Sequence, residues 1–299
     1  MFCGPGCQDK RMRTAVVTGT STGIGYASAL RLAEQGHQVV ATMRRPREDG
    51  ESLLERAAAL GLAHRLEIVP LDVDDDDSVA SAFADIARRW EIDILVNNAG
   101  TSPVGSVEEF AIEDWKSVFE TNVFGLVRCT QAVLPGMRER GRGHIINVSS
   151  IAGRLVMPMF GPYSASKFAV EALSEALALE ARPHGIRVAL IEPGAVRTSI
   201  REKTGVPPKD SPYRPVAKNW GLAMGWEHDR GSEPVEVAER IAELVMDPEP
   251  SLRNPVAQGC SETIAIRSRH TDEAWAELWC APTAEFLGRW GKLRGADFV

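Results

Sequence analysis

A short apolar run, a glycine cluster and a helical pattern follow one another in residues 14–35, which read TAVVTGTSTGIGYASALRLAEQ. The run Thr14–Val17 is apolar and β-branched, which favours a strand. Gly19, Gly23 and Gly25 allow a tight turn and the close approach of a ligand. The helix after them would offer unpaired N–H groups and the positive end of its dipole to a phosphate. This order predicts a phosphate-binding loop between the first strand and the first helix.

Strand-like runs and longer helical patterns alternate along most of the chain. Such alternation predicts parallel strands joined by right-handed crossovers. We therefore expect an α/β fold with a doubly wound, Rossmann-like parallel sheet of about seven strands and helices on both faces. The expected strands are Thr14–Val17, Gln38–Ala41, Leu66–Val69, Ile92–Val96, His144–Val148, Arg187–Ile191 and Asn254–Gln258. The expected helices are Ile24–Gln35, Ser52–Leu60, Ser78–Trp90, Glu113–Arg140, Pro162–Arg182, Pro234–Val245 and Asp272–Trp279.

No repeat or shift in composition divides the 299 residues. The sequence therefore predicts a flexible extension at residues 1–13 and one Rossmann-type domain over residues 14–299. Within that domain, residues 199–232 are rich in Pro, Gly and charge and include Trp220 and Trp226. A long segment of this kind predicts a lid over an apolar site.

The bulk properties exclude several classes of partner. The net charge of −7 argues against binding to nucleic acid, which needs a basic field. No apolar stretch is long enough for a membrane span, and the N-terminus lacks the apolar core of a secretory signal, so a cytoplasmic location is expected. Cys3 and Cys7 have three residues between them and no His or further Cys nearby, so they are expected to be free thiols.

The end of the second strand bears on the choice of nucleotide. In NAD-specific folds a carboxylate at this place binds the ribose 2′-hydroxyl. Here Arg44 and Arg45 follow the strand, and no carboxylate occurs before Glu48. Because a guanidinium suits a phosphate, the sequence favours NADP(H) over NAD(H), with Arg44 on the 2′-phosphate and Ser21 as a helper. The alternative is that both arginines are solvated loop charges.

Tyr163 and Lys167 form the strongest candidate for chemistry. They are four residues apart, so on a helix both project from one face. A phenol with an ordinary pKa near ~10 is a poor acid or base at neutral pH. A neighbouring ammonium favours the phenolate and lowers that pKa, which would make Tyr163 a workable general acid or base. Because this spacing is common in helices, the catalytic interpretation of the pair depends on the motifs around it.

Further motifs stand at fixed places along the chain. They are Asp72-Val73 after the third strand, Asn97-Asn98-Ala99-Gly100 after the fourth, Asn122, Ser150 thirteen residues before Tyr163, and Pro193-Gly194 followed by Val196 and Thr198. With the T-G-x-x-x-G-x-G loop, they resemble the classical short-chain dehydrogenase/reductases over about residues 14–200, and in particular the hydroxysteroid and retinol dehydrogenase-like branch. One departure is Thr22, at a place where NADP-preferring members often carry a basic residue.

The resemblance implies an oxidoreductase that transfers a hydride between NAD(P) and a secondary alcohol or ketone, with no metal. Tyr163 would be the general acid/base, and Ser150 would hold the substrate oxygen. Protons would return through the nicotinamide ribose, Lys167 and a water anchored by Asn122. The implied cofactor contacts are Gly19, Ser21, Thr22, Gly23, Ile24, Arg44, Asp72, Val73, Asn98, Ala99, Gly100, Tyr163, Lys167, Pro193, Gly194, Val196 and Thr198.

The substrate pocket is expected between Ser150 and Tyr163. The residues there are Ile151, Leu155, Met157 and Phe160, which predict a lipophilic small-molecule substrate. A steroid or retinoid is suggested only by the likeness to that branch.

The helix at Pro162–Arg182 is apolar on more than one face, which indicates a covering partner. Because family members commonly dimerise through this helix, we expect a homodimer or homotetramer. Two other functions on the same fold stay open. One is an extended-type epimerase or dehydratase, whose loop would read T-G-x-x-G-x-x-G. The other is a non-catalytic nucleotide-sensing regulator, which usually lacks one of the catalytic residues.

Overall fold

The centre of the fold is a seven-stranded parallel sheet with the order β3-β2-β1-β4-β5-β6-β7. The computed structural model describes residues 12–198 and 210–295. The strands are β1 Thr14–Thr18, β2 Gln38–Met43, β3 Leu66–Pro70, β4 Ile92–Asn97, β5 Gly143–Val148, β6 Ile186–Pro193 and β7 Arg253–Val256. The expected doubly wound α/β sheet is therefore confirmed.

Helices cover both faces of this sheet. Their bounds are α1 Gly23–Glu34, α2 Pro46–Asp49, α3 Glu51–Ala59, α4 Asp76–Arg89, α5 Ile112–Phe119, α6 Gly125–Arg140, α7 Gly161–Ala181, α8 Arg214–Asp229, α9 Pro234–Met246, α10 Cys260–Ser268, α11 Asp272–Cys280 and α12 Thr283–Arg294. Because side chains alternate along a strand, Ala15 and Val17 of β1 join the core under α1 and α9, while Val16 joins the core under α4 and α6.

The expected single helix over Glu113–Arg140 is wrong in one respect. A π-helical turn at Glu120–Phe124 separates α5 from α6. Asn122 lies in this turn, and its buried amide accepts a hydrogen bond from the N–H of Thr101 and donates to the Thr101 carbonyl. The wider turn brings this amide to a neighbouring loop, and such turns are frequent at functional sites.

The C-terminal part contains more helix than the sequence predicts. Only α11 was expected there, yet α10 and α12 flank it. These helices pack with α8 around an aromatic cluster that includes Trp275, Trp279, Phe286 and Trp290. α8 occupies much of the expected lid, whose residues 199–209 lie outside the described residues. Residues 1–11 of the expected N-terminal extension lie outside them as well.

Neither part of the chain that the structure describes contains a helix long and apolar enough to cross a membrane.

His37 and His144 are buried, and in the described parts of the chain neither ring has a hydrogen-bond partner. Burial lowers the pKa of His37 to about 4, and it lowers the pKa of His144 well below its usual value. Both rings therefore stay neutral in the folded protein at pH values where the unfolded chain binds protons.

We expect the free energy of unfolding to fall as the pH drops below the ordinary histidine value of about 6.5. A group that binds a proton only in the unfolded state costs about 1.4 kcal/mol of stability per pH unit there. His144→Leu should therefore lose less stability between pH 7.5 and 5 than the wild type, as measured by denaturant unfolding. The exposed His64 supplies the control, His64→Leu. An equal loss in wild type and His144→Leu would contradict this account.

Candidate active site

The sequence motifs converge at the carboxyl edge of the sheet. The strand order changes direction between β1 and β4, and open α/β sheets bind ligands outside such a switch point. The glycine loop follows β1, the Asn98 segment follows β4, Ser150 follows β5 and Pro193 ends β6. Tyr163 and Lys167 project from the first turns of α7.

The glycine loop has a conformation and a packing that require glycine. Gly19 has a φ of +69°, in the left-handed region that side chains disfavour. A Cβ on Gly25 would lie 2.3 Å from the carbonyl oxygen of Gly19. α1 begins at Gly23, and its first turn carries no acidic side chain that would repel an anion. The loop and helix end thus form a cradle that fits a pyrophosphate.

Asn98 and Ala99 hold this loop in place. The Thr18 hydroxyl accepts hydrogen bonds from the N–H groups of Asn98 at 2.9 Å and Ala99 at 3.0 Å. In return the Asn98 amide donates to the carbonyls of Thr18 and Gly19, at 2.9 and 3.0 Å. These expected cofactor residues therefore connect the ends of β1 and β4 directly.

Arg44 and Arg45 differ in their surroundings. Arg45 forms an ion pair with Asp49 at 3.3 Å. Arg44 is exposed, and among the described residues it has no carboxylate within ion-pair distance. Burial raises the pKa of Asp74, and the positive charge of Arg44 lowers it. Arg44 therefore interacts electrostatically with the acidic segment after β3. Asp72 accepts a hydrogen bond from the N–H of Asp74 at 3.2 Å.

The remaining expected cofactor contacts fall into two groups at this edge. A Cβ on Gly23 would lie 3.2 Å from the methyl of Thr198, so the segment after β6 lies against the glycine loop. Gly194 and Val196 line the adjoining cavity. Ser21 and Thr22 lie in the glycine loop and Ile24 in the first turn of α1, while Val73 follows β3 and Gly100 follows β4.

Ser150, Tyr163 and Lys167 come together at the bottom of the site. The Lys167 ammonium lies 5.8 Å from the centre of the Tyr163 ring, and it donates a hydrogen bond to the carbonyl of Val148 at 2.8 Å. The Ser150 hydroxyl accepts a hydrogen bond from the N–H of Ala152 at 3.1 Å. Ser150 and Tyr163 both line the cavity.

Burial dominates the charge states of this group. Burial raises the pKa of Tyr163 above its ordinary value, and the hydrogen bond with Ser150 opposes part of that shift. The helical spacing predicts that Lys167 lowers this pKa. In the structure the ammonium lies 5.8 Å from the ring centre and donates to the Val148 carbonyl, and burial has the larger effect. Burial also lowers the pKa of Lys167 to about 8, and the charge of Glu171 opposes that shift.

The two neighbouring serines face different groups. Ser150 faces the cavity and Tyr163, whereas Ser149 is buried next to Glu171. The Asn122 amide donates to the Ser166 hydroxyl at 2.9 Å, and Ser166 donates to the carbonyl of Tyr163 at 2.7 Å. Asn122 therefore fixes the turn of α7 that carries Tyr163.

A mainly apolar cavity of ≈ 150 Å³ opens above Ser150 and Tyr163. Ile151, Met157 and Phe160 line it as expected, whereas Leu155 belongs to the aromatic cluster behind it. The sequence analysis did not assign several other lining residues, which are Ser102, Val104, Met224, Glu227, His228, Thr263 and Trp290.

The far wall of the cavity comes from α8, α10 and α12. Phe160 connects the two sides, since its ring lies 5.5 Å from that of Tyr163 and 5.2 Å from that of Trp220. Glu227 of α8 forms an ion pair with Arg294 of α12 at 2.8 Å. Only the aromatic residues of the expected lid signalled this wall in the sequence.

Comparisons with known proteins agree with this geometry. The family model for the short chain dehydrogenase matches residues 13–207. Retinol dehydrogenase 8 of Bos taurus is 35% identical over 94% of this chain and 92% of its own length. Estradiol 17-beta-dehydrogenase 1 of Rattus norvegicus is 38% identical over 80% of this chain and 72% of its own length.

Solved structures give the same result. The closed form of a serine dehydrogenase, in complex with NADP+, superposes with a TM-score of 0.69 and 31% identity. The match covers 82% of this chain and 94% of that one. The chain therefore belongs to the short-chain dehydrogenase family, as an oxidoreductase acting on alcohol and ketone groups within its retinol and hydroxysteroid dehydrogenase-like branch.

Proposed function

We propose that this protein interconverts a lipophilic secondary alcohol and its ketone with NADP(H), using Tyr163 as the general acid/base. The observation that carries the proposal is the placement of Ser150 and Tyr163 at the base of an apolar cavity, with Lys167 behind them and the glycine cradle beside them. All four proposed catalytic residues are present, which favours an enzyme over a nucleotide-sensing regulator. The G-x-x-x-G-x-G spacing disfavours an extended-type epimerase or dehydratase.

Each residue has a distinct part in the proton transfer. A nicotinamide nucleotide, when bound, supplies or accepts the hydride. Ser150 and Tyr163 hold the substrate oxygen, and Tyr163 gives it a proton during reduction or takes one during oxidation. The Lys167 ammonium stabilises the phenolate that remains, and the Val148 carbonyl orients that ammonium. Asn122 would hold the water that leads to Lys167, and its amide fixes the turn of α7 below Tyr163 through Ser166.

The preference for NADP(H) rests on Arg44. Its guanidinium is exposed just after the end of β2, where a phosphate could reach it, and the next carboxylate along the chain is Glu48. Ser21 would assist from the glycine loop. The NADP+ complex of the serine dehydrogenase supports the proposal by likeness.

The proposed substrate is lipophilic because the cavity walls are. Ile151, Met157 and Phe160 face Trp220 and Trp290 across the space above Tyr163. Two of the relatives are named for retinol and estradiol, which favours a substrate of that polarity.

We also propose a homodimer or homotetramer. Phe168, Leu173 and Leu179 of α7 are 44%, 36% and 74% exposed, and Phe124 beside α6 is 50% exposed. Exposed apolar side chains on α7 and just before α6 favour an interface. Light scattering of the purified protein should give at least twice the mass of the chain. A monomer at micromolar concentration would contradict this assembly.

Tyr163→Phe tests the chemistry. Removing the phenolic hydroxyl should lower kcat for ketone reduction by at least about 100-fold, because general acid catalysis contributes that much. The measurement is nicotinamide absorbance with a panel of lipophilic ketones. Tyr26→Phe is the matched control, since the Tyr26 hydroxyl donates to the carbonyl of Ser52, away from the cavity. Wild-type turnover in Tyr163→Phe would refute the mechanism.

Arg44→Ala tests the choice of nucleotide. Losing one charge-assisted contact should raise the Kd for NADPH by about tenfold and leave that for NADH unchanged. Arg45→Ala is the matched control because Arg45 is already paired with Asp49. Fluorescence titration with both nucleotides gives the values. Equal wild-type affinity for NADPH and NADH, or an equal loss of both in Arg44→Ala, would contradict the preference.

A further inference from the structure

A buried charge network lies behind Ser150, Tyr163 and Lys167. Glu171 of α7 and Glu192 of β6 are only 5% and 0% exposed. Arg253 of β7 and Arg154, just after the Ser150 segment, supply the opposite charges. Four separate elements therefore meet in one network, and two of them carry proposed catalytic residues.

Arg253 is the centre of this network. Its Nε lies 2.9 Å from Glu171 Oε2 and 3.9 Å from Glu192 Oε1. Its Nη2 lies 2.6 Å from Oε2 of Glu175, which is at the surface. Arg154 Nη1 lies 2.7 Å from Glu192 Oε1. Three carboxylates and two guanidiniums leave one negative charge in this network when all of them are ionised.

Glu171 is the member of this network that acts on Lys167. Tyr163, Lys167 and Glu171 are spaced by four residues, so they lie along one face of α7. A Cβ on Gly153 would lie 2.9 Å from Glu171 Cγ and from the carbonyl oxygen of Lys167. No side chain can therefore intervene between this part of α7 and the segment after β5.

The charge states are consistent with this arrangement. Burial lowers the pKa of Lys167 to about 8, and Glu171 is the charged group that opposes the shift. Burial raises the pKa of Glu171, whereas the Ser149 hydroxyl and the Arg253 guanidinium lower it. Arg253 therefore favours the ionised carboxylate. A buried ion pair is a weak source of stability compared with apolar packing, so its position next to Lys167 suggests a functional role.

We propose that Glu171 is a positioning residue, whose carboxylate, held by Arg253, keeps Lys167 as an ammonium beside Tyr163. The inference rests on the proposed function, because it concerns the lysine of that proton transfer. Glu171 itself touches neither the cavity nor the reacting atoms.

Glu171→Gln is the central test, and Glu175→Gln is its matched control. Each variant removes one carboxylate from Arg253, but only Glu171 is buried next to Lys167. Removing this negative charge disfavours the ammonium, so Lys167 should lose its proton at a lower pH. We expect its titration midpoint to fall by about one pH unit in Glu171→Gln, the usual size of a nearby charge effect, and to stay unchanged in Glu175→Gln.

The titration can be followed without turnover. The chain has seven lysines, so the ¹³Cε signals of labelled protein can be resolved by NMR, and Lys167→Arg identifies the relevant one. In parallel, the alkaline decline of kcat for ketone reduction should move to lower pH in Glu171→Gln. The kcat near pH 6.5, where Lys167 keeps its proton, should stay close to wild type. Glu171→Asp, which keeps the charge, should restore both readouts toward wild type.

An unchanged midpoint and an unchanged alkaline decline in Glu171→Gln would overturn the proposal, as would an equal shift in Glu175→Gln. If Glu171→Gln does not fold, Glu171→Met, which buries no polar atom, must give the same downward shift. Failure of the proposed function would look different. Tyr163→Phe would then retain turnover, whatever the lysine titration shows.

Discussion

The amide of Asn98 joins two loops on which the site depends. By donating to the carbonyls of Thr18 and Gly19, it fixes the glycine loop against the end of β4. The same contact explains why Gly25 is required, since a Cβ there would lie 2.4 Å from the Asn98 amide nitrogen. With these two strand ends fixed, the cradle at α1 has a constant position relative to the segments after β5 and β6. A bound nucleotide and a proton donor can be aligned only if the cradle keeps a constant distance from those segments.

The strands could be predicted from short stretches of sequence, because the residues that mark each strand are neighbours in the chain. Each strand is a short apolar run, and burial on both faces makes such runs unmistakable between helical patterns. The π turn at Glu120–Phe124 could not be predicted in this way, because it depends on hydrogen bonds that the Asn122 amide donates to Thr101 and Ser166, which are remote in sequence. α10 and α12 were missed for a similar reason. Their stability comes from the aromatic cluster, which the three-dimensional packing assembles.

The same distinction between local and remote contacts applies to the residues of the site. The spacing of Ser150, Tyr163 and Lys167 follows from one helix and one preceding strand end, so it could be predicted. The contacts among Glu171, Glu192 and Arg253 could not, because each residue lies on a different element and no motif connects them. The helical spacing of Tyr163 and Lys167 predicts a lower Tyr163 pKa. Burial, which depends on the whole fold, has the larger effect in the structure.

The cavity has one further consequence. Its chemical end is built entirely from residues before 200, while Trp220, Met224, Thr263 and Trp290 form its other end. The proposed reacting groups and the far wall of the cavity are therefore encoded in successive portions of the gene. Mutations in the last third can reshape that wall while the residues proposed for proton transfer stay unchanged. Such a division lets a single catalytic core diversify over many substrates without repeated loss of activity.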